Sequence, residues 1–487
     1  MNSMKVMLPM LGATLAIAGC GSDGNGGSAA GGGFTVVNDV VTTRANDLRG
    51  LVYSDSGKIY VSGHVGASAD LRQTVVGRFD ADGAPDAAFG DGGFVEVDVA
   101  VGRNEQSLAV AELTGGDVVA LVNAVDADGG QSVYLLRFDD AGVQQTQADG
   151  WGDADGKVEV VFGWANADNG DRASPPRDTA WDLLVDRSGA GERLVVAGLG
   201  AATEASGRSD NDNDNDRYVV RLDAADGSID PAFNGGAAQV FHSVGTLSDN
   251  ARRAFVEADG AILASGYTNL GEGLGNHIIL IRLTPAGALD AGFGNFISPA
   301  SSGTAVGLTA QPGVAVFNPF LVDGGFAEAY GAVPQSDGRY VTTGYGGATA
   351  SGGTSTLGYQ PTEAQDVVAF RVGGTMMDAG WGNSGTQAVQ SEGQGQPTDE
   401  DRGRDLVVLP DDRSVHAGRY GGVPALFVFT ADGQLDTAVD EDGIIELPNE
   451  QTDAQFFNVD VSSSGRLAAT TNDSAAGARL VILAPQD

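Results

Sequence analysis

Short apolar segments alternate along most of the chain with turns rich in glycine, aspartate and asparagine. In the first unit, the segments 51–54, 58–62, 74–80 and 94–99 each have the length and composition of a β-strand. No long stretch shows the period of about 3.6 residues that marks an amphipathic helix. The pattern therefore predicts an all-β chain with many tight turns.

This unit occurs seven times along the chain, and the repetition decides the predicted architecture. Each copy begins with a tight hairpin, and most copies continue with an arginine-bearing strand, an Asp-Gly turn such as 82–86 and an aromatic corner such as Phe89-Gly90. The hairpins are marked by Gly57, Gly116, Gly191, Gly260, Gly338, Asp412 and Gly465, and the arginines are Arg78, Arg137, Arg221, Arg282 and Arg371. Four strands in about 40–50 residues are typical of a propeller blade, so we predict a seven-bladed β-propeller of four-stranded blades.

The two ends of the repeat region complement each other. The last unit stops at 480–483 without a fourth strand, whereas segment 32–37 resembles the fourth strand of the first unit at 92–97. We therefore expect the N-terminal strand to pair with the last blade and close the ring, which removes exposed strand edges. An open solenoid is the alternative.

These motifs together resemble the delta-60 repeat family, which comprises bacterial surface or secreted proteins. The resemblance covers the chain from about 34 to 483 and implies a β-propeller, but it implies no reaction, cofactor or catalytic residue. Units two and six depart from the repeat at 140–144 and at Val439-Asp440, so their blades are expected to be less regular.

The first residues resemble a bacterial lipoprotein signal. Lys5 is followed by an apolar stretch, 6–17, and then by Ile-Ala-Gly-Cys, which ends at Cys20, the only cysteine. The stretch is shorter than the roughly 20 residues that a membrane-spanning helix needs. We predict a signal peptide at 1–19, a glycine-rich tether at 20–33 that begins at lipidated Cys20, and a single propeller domain at 34–487. Gly21, in place of aspartate, favours the outer membrane of the cell envelope.

The composition restricts the partners. The formal net charge is −38, from 65 acidic and 27 basic residues. A surface of this sign repels phosphate backbones, so nucleic acid is not an expected partner. The membrane, through the lipid anchor, and an envelope protein or polysaccharide are the expected partners, and we expect a monomeric propeller.

Long insertions share one face of the predicted propeller. They fall between second and third strands (200–216 and 345–365) or between blades (163–179, 298–325 and 390–403). These two kinds of connection leave an up-and-down blade on the same side, so this loop face is the candidate binding surface. The alternative is that loops simply tolerate insertions.

An acidic run in the third unit is a candidate calcium site. Asp210, Asp212, Asp214 and Asp216 alternate with asparagines, and calcium takes six to eight oxygen ligands. The run lacks the glycine and the closing glutamate of an EF-hand loop. A solvated loop without metal is the other interpretation.

Three arginines occupy equivalent places in their units. Arg49, Arg252 and Arg404 each lie eight residues before the hairpin position, so we expect them at the start of innermost strands, around the mouth of the channel. Such a ring could bind a carboxylate or an acidic sugar. Ion pairs with Asp47, Asp249 and Asp401 are the favoured alternative. The arginine of the third strand is interpreted as a tie between blades.

No catalytic motif stands out. His64, His242, His277 and His416 lie at different places in their units, with no spacing typical of metal ligands. We therefore predict a lipid-anchored binding scaffold that acts through its loop face, with no catalytic residues and no cofactor other than calcium. A metal-assisted hydrolase or lactonase that uses the channel, and a purely structural adhesion protein, are the alternatives.

Overall fold

The computed structural model describes residues 33–66, 71–127, 129–162, 178–201, 215–237, 239–241, 248–271, 274–298, 309–319, 325–347, 365–383, 385–389, 391, 401–447, 454–472 and 477–486. In these ranges the helical segments are two 3-10 turns, Gln147–Asp149 and Asn234–Gly236. The same ranges contain no helix with the length and apolar character that a membrane crossing requires. Everything else that is regular is β-structure.

Seven sheets form the blades, and the strands of each blade are named from the innermost to the outermost. Blade 1 contains β2 (Asp47–Tyr53), β3 (Ile59–Val65), β4 (Gln73–Phe79) and β5 (Phe94–Val97); blade 2 contains β6 (Glu105–Glu112), β7 (Val118–Val125), β8 (Gln131–Phe138) and β9 (Lys157–Val160). Blade 3 contains β10 (Thr179–Asp186), β11 (Arg193–Ala201), β12 (Asn215–Asp223) and β13 (Gln239–Phe241); blade 4 contains β14 (Asp249–Val256), β15 (Ile262–Asn269), β16 (Asn276–Leu283) and β18 (Val314–Phe317), with β17 (Phe296–Ser298) beside β18. Blade 5 contains β19 (Phe326–Pro334), β20 (Tyr340–Gly347), β21 (Asp366–Gly373) and β23 (Thr386–Val389), with the short β22 (Met376–Met377) also on β21; blade 6 contains β24 (Arg402–Val408), β25 (Ser414–Tyr420), β26 (Val423–Phe429) and β27 (Ile444–Glu446). Blade 7 contains β28 (Phe456–Val461), β29 (Leu467–Thr471), β30 (Ala478–Pro485) and β1 (Phe34–Thr42).

The innermost strands close a ring. Each of β2, β6, β10, β14, β19, β24 and β28 contacts the innermost strand of the next blade, and β28 contacts β2. The predicted seven-bladed β-propeller is therefore confirmed, and the open solenoid is wrong. Blades 2 and 6, which we expected to be less regular, keep all four strands.

The N-terminal strand completes blade 7, as predicted. β1 pairs antiparallel with β30, from Phe34 opposite Pro485 to Thr42 opposite Ala478. Phe34 also packs into the apolar core between blades 6 and 7. The last blade is thus built from both ends of the chain, which joins the ring by hydrogen bonds as well as by packing.

Aromatic corners fill the outer part of the spaces between blades. Phe89, Trp151, Phe233, Phe293 and Trp381 are all buried, and in blade 6 the buried Val439 takes this place. An aliphatic side chain therefore suffices to fill the corner, which explains why blade 6 remains regular.

Four of the five third-strand arginines, Arg78, Arg137, Arg282 and Arg371, contact the next blade, as predicted. The Arg78 guanidinium pairs with Asp86 of its own blade at 2.9 Å and donates to the main-chain oxygen of Asp140, in the next blade, at 2.7 Å. Arg371 likewise pairs with Asp378 and donates to the main-chain oxygen of Ala431 in the next blade. These ties hold the outer parts of the blades in register.

We expect Arg78→Met to lower the free energy of unfolding by about 2–3 kcal/mol, because charge-assisted hydrogen bonds of a buried guanidinium are lost. The loss of stability is smaller than for a carboxylate left without any partner, because Asp86 also pairs with Lys58, at 2.8 Å. Urea unfolding followed by circular dichroism measures the change. Arg44→Met is the matched control: Arg44 pairs with Asp91 and Glu96, which are both exposed, so its loss should cost less than about 1 kcal/mol. Equal effects of the two substitutions would contradict the inter-blade role.

Candidate functional site

Every innermost strand contains a β-bulge at the same place. In each blade one residue of this strand has no partner on the second strand, and the pairing shifts by one at that point. A bulge redirects the side chain of its extra residue. The seven bulged residues, which we call the bulge ring, are Arg49, Leu108, Trp181, Arg252, Tyr330, Arg404 and Phe457.

The bulge ring surrounds one cavity. The cavity has a volume of about 320 Å³, and all seven members of the ring line it, together with Arg253 and Gln455. The three arginines that the sequence placed around the channel mouth therefore lie at the same cavity, which we call the arginine cavity. Their role in binding stays a prediction.

The arginine cavity lies at the loop-face end of the channel. Its lining residues lie near the starts of the innermost strands, beside the ends of the second strands: Thr179 at the start of β10 is opposite Leu199 near the end of β11. The long connections leave the blades from these strand ends. Most of the connecting residues lie outside the described ranges.

Arg49 is fixed by a carboxylate and an aromatic ring. Its Nε is 2.6 Å from Oδ2 of Asp47, and its Cζ lies 3.9 Å from the centre of the Phe457 ring. Gln106 Nε2 donates to the same oxygen of Asp47 at 3.3 Å. The charge of Arg49 is therefore neutralised locally, as the pairing alternative predicted.

Arg252 is held by aromatic rings without a carboxylate partner. Its Cζ lies 4.2 Å from the Trp181 ring centre and 5.0 Å from that of Tyr330, and its buried Nε has no hydrogen-bond partner in the described chain. No ion pair of Arg252 occurs among the described residues. Burial opposes its charge, but the neighbouring Tyr330, Tyr267 and Glu328 leave the pKa of Arg252 raised. This guanidinium is charged, and it lines the arginine cavity.

Arg404 is the second cation without a carboxylate. Its Nε donates to Oε1 of Gln455 at 2.8 Å, and its Cζ lies 4.7 Å from the Tyr330 ring centre. Burial lowers the pKa of Arg404, and the positive charges of Arg402 and Arg252 lower it further. An arginine stays protonated at neutral pH even so, because its ordinary pKa is above 12.

The favoured ion pairs of Arg252 with Asp249 and of Arg404 with Asp401 are wrong. Asp401 instead accepts hydrogen bonds from the main-chain N–H groups of Ser391, at 2.7 Å, and Gly421, at 2.8 Å. Backbone donors at the loop ends thus occupy this carboxylate, which leaves Arg404 unneutralised.

A charged belt crosses the channel below the arginine cavity. Arg253 of blade 4 lies 3.3 Å from Oδ1 of Asp182 in blade 3 and 3.7 Å from Oδ2 of Asp405 in blade 6. It also donates to Oδ1 of Asn458 in blade 7, on the opposite side of the ring. We call these four residues the Arg253 belt. The carboxylates also accept main-chain N–H groups, of Ala254 and Val459, which belong to the following blades.

The Arg253 belt divides the channel in two. Arg253 lines both the arginine cavity and a second cavity of about 450 Å³ towards the other face. Aliphatic residues such as Leu183 and Leu406 contribute to the walls of the second cavity. Because the belt lies between the two cavities, the arginine cavity is closed at its floor. Burial raises the pKa of the belt residue Asp405 to about 6, although Arg253 opposes this shift.

The other candidate residues do not come together. Burial lowers the pKa values of His64 and His277 to about 4 and that of His416 to about 3, so these imidazoles are neutral. His242 lies outside the described residues. Within the described ranges, no group of three or more histidine, cysteine, aspartate or glutamate side chains could hold a metal ion.

The calcium and lipid predictions fall mainly outside the described ranges. Asp216 is buried in β12, opposite Gly200, whereas Asp210, Asp212 and Asp214 are not described. Cys20 is not described either. Calcium binding and lipidation therefore stay predictions.

The four ring members that we did not predict show the same spacing from the hairpin as the three arginines. Leu108, Trp181, Tyr330 and Phe457 also lie eight residues before a glycine of the first hairpin, namely Gly116, Gly189, Gly338 and Gly465. Because these four side chains are uncharged, they resemble ordinary core residues. The constant offset, rather than the residue type, identifies the ring.

Comparison with known sequences finds a repeat family. Residues 205–233 and 257–293 match the sequence profile of a domain of unknown function (DUF5122) beta-propeller. These stretches carry β-propeller repeats. No curated protein matches the sequence.

Solved structures with similar folds include several enzymes. A streptogramin B lyase matches with 10% identity and a TM-score of 0.41, over 93% of this chain and 98% of its own. A virginiamycin B lyase from Staphylococcus aureus matches with 10% identity and a TM-score of 0.40, over 93% and 100%. An alpha-L-arabinanase from Penicillium chrysogenum, complexed with arabinobiose, matches with 10% identity and a TM-score of 0.42, over 77% and 92%.

Proposed function

We propose that this β-propeller is a binding protein of the bacterial cell envelope and that its ligand presents an anionic group to the arginine cavity. The observation that carries the proposal is the state of Arg252, a half-buried arginine whose buried Nε has no hydrogen-bond partner and which has no carboxylate partner among the described residues. Guanidinium groups match the geometry of carboxylate and phosphate oxygens, and they bind best where water is excluded. The rings of Trp181 and Tyr330 hold this charge at the cavity and leave it without a competing carboxylate.

The lining of the cavity favours binding over hydrolysis. The residues that line it in the described part of the chain include no carboxylate, histidine, serine or cysteine. A hydrolase needs a general base or a nucleophile within hydrogen-bond reach of its substrate. The aromatic members of the ring supply rigid contact area instead.

The proposal includes the place of the protein in the cell envelope. We propose that Cys20 is lipidated, that the Gly-rich tether links the propeller to the outer membrane, and that the repeats are of the delta-60 type. The anionic group would then belong to the end of an acidic envelope polysaccharide. A carboxylate of an envelope protein is the second source of the same chemistry.

Isothermal titration with glucuronate tests the proposal. We expect binding to the propeller, and we expect Arg252→Met to weaken it by about 10–100-fold, since a charge-assisted hydrogen bond contributes about 1.5–3 kcal/mol. The substitution keeps the aliphatic stem and leaves no carboxylate unpaired, so the melting temperature should change little. Arg103→Met is the matched control, because Arg103 lies before β6 on the same face and outside the cavity lining. Equal binding by the two variants would refute the proposal.

A further inference from the structure

We infer that the arginine cavity selects a group with two negative charges, and that its ligand enters by one end instead of lying along the channel. This inference rests on the proposed function and deepens it. Three features carry it: the number of uncompensated cations, their separation and the closed floor.

Two of the four arginines that line the cavity have no carboxylate partner in the described chain. Arg49 is neutralised by Asp47, and Arg253 by Asp182 and Asp405. Arg252 and Arg404 have no carboxylate within ion-pair distance in the described chain, where they contact aromatic rings and, for Arg404, Gln455. One dianion neutralises both of them.

Glu328 is the carboxylate that acts on Arg252 from a distance. Its two oxygens accept hydrogen bonds from Asn276 Nδ2, at 2.7 Å, and from the Tyr345 hydroxyl, at 2.9 Å. Glu328 does not line the cavity. It raises the pKa of Arg252 without occupying the guanidinium.

The two uncompensated cations are close enough for a small molecule to bridge. Their Cζ atoms lie 5.0 and 4.7 Å from the centre of the same Tyr330 ring, so they are no more than about 10 Å apart. A six-carbon dicarboxylate spans such a distance, and a phosphate monoester carries both charges on one group. The shared chemistry is a compact dianion.

The belt below the cavity and the negative charge of the protein favour a ligand that enters by one end. The Arg253 belt closes the channel below the cavity, and the volume of about 320 Å³ is at the lower end of the roughly 300–1,000 Å³ of small-molecule sites. A formal charge of −38 repels a polyanion that lies across the face of the protein. Only a short anionic terminus therefore gains from the two cations.

A series of ligands on one carbon skeleton tests the charge selectivity. We would titrate the propeller with glucose, glucuronate, glucarate and glucose 6-phosphate at constant ionic strength. We expect no measurable binding of glucose, and we expect the better of the two dianions to bind at least about tenfold more tightly than glucuronate. Tighter binding of glucarate assigns the site to dicarboxylates, and tighter binding of glucose 6-phosphate assigns it to phosphate monoesters.

Variants separate charge recognition from a general structural effect. In Arg404→Met, we expect the preference for the dianion over glucuronate to fall towards one, whereas Arg103→Met should keep it. Glucuronate binding as tight as that of both dianions would overturn the inference and leave the proposed function intact. Failure of every anion to bind at millimolar concentration would overturn both.

Oligomers of glucuronate test the entry by one end. We expect the dimer and the tetramer to bind no more tightly than glucuronate, because only one terminal residue fits above the belt. Affinity that rises with chain length would show that internal residues bind along the face, and it would overturn the end-on geometry.

Discussion

A chain that begins at Thr43 is expected to yield no folded monomer, whereas a chain that begins at Gly33 should fold as the full propeller does. The shorter chain lacks β1, so β30 loses the partner that pairs with it from Pro485 to Ala478. The strand would become an exposed edge beside an opened core, and such edges pair with other chains. Size-exclusion chromatography and circular dichroism measure the outcome.

Addition of the missing strand provides the control. A synthetic peptide of residues 33–42 should restore a monomer to the chain that begins at Thr43, because a strand supplied separately can complete an open sheet. A stable monomer without the peptide, with an unchanged melting temperature, would show that packing between blades alone closes the ring.

Removing the cation of the belt should have the second large effect. We expect Arg253→Met to lower the free energy of unfolding by about 3–5 kcal/mol at pH 7.5, because the buried carboxylate of Asp182 and the largely buried carboxylate of Asp405 lose their shared partner. Urea unfolding at pH 7.5 and at pH 5 measures the loss.

The loss should be smaller at pH 5, and the sign follows from linkage. Burial raises the pKa of Asp405 to about 6 in the folded chain, above the value of about 3.9 in an unfolded one. Between these values the folded chain binds more protons, so ionisation of Asp405 reduces stability as the pH rises through 6. Without Arg253 the folded pKa rises further, which increases the dependence on pH.

A double substitution controls for packing. Arg253→Met together with Asp405→Asn should recover part of the stability at pH 7.5 and should show a weaker dependence on pH. A loss from Arg253→Met that is the same at pH 7.5 and pH 5 would assign the effect to packing instead of charge.

The blades could be predicted from the sequence because each is a local repeat with its own turns. The start of the first strand was missed: the prediction began at 51, but β2 begins at Asp47. Polar residues such as Asp47 and Arg49 interrupt the apolar pattern there, and the bulge shifts the alternation by one residue. The alternation of apolar and polar residues does not mark a bulge, so this pattern alone placed the strand too late.

The candidate site could be predicted only in part. The constant offset from the hairpin identified three arginines, but not which of them would be neutralised. That outcome depends on competing donors: the backbone of Ser391 and Gly421 takes Asp401, while no comparable competition removes Asp47 from Arg49. The Arg253 belt joins blades that are far apart in sequence, so no local pattern indicates it.

The bulge ring places seven cavity-lining side chains outside the paired register of their blades. Each of its members is the unpaired residue of its strand, so exchange of its side chain leaves the hydrogen-bonded register of the blade as it was. Seven positions can therefore diverge between related proteins while the frame is inherited unchanged. Under the proposed function, the side chains that lie eight residues before each hairpin of a related protein are expected to indicate the class of ligand that it binds.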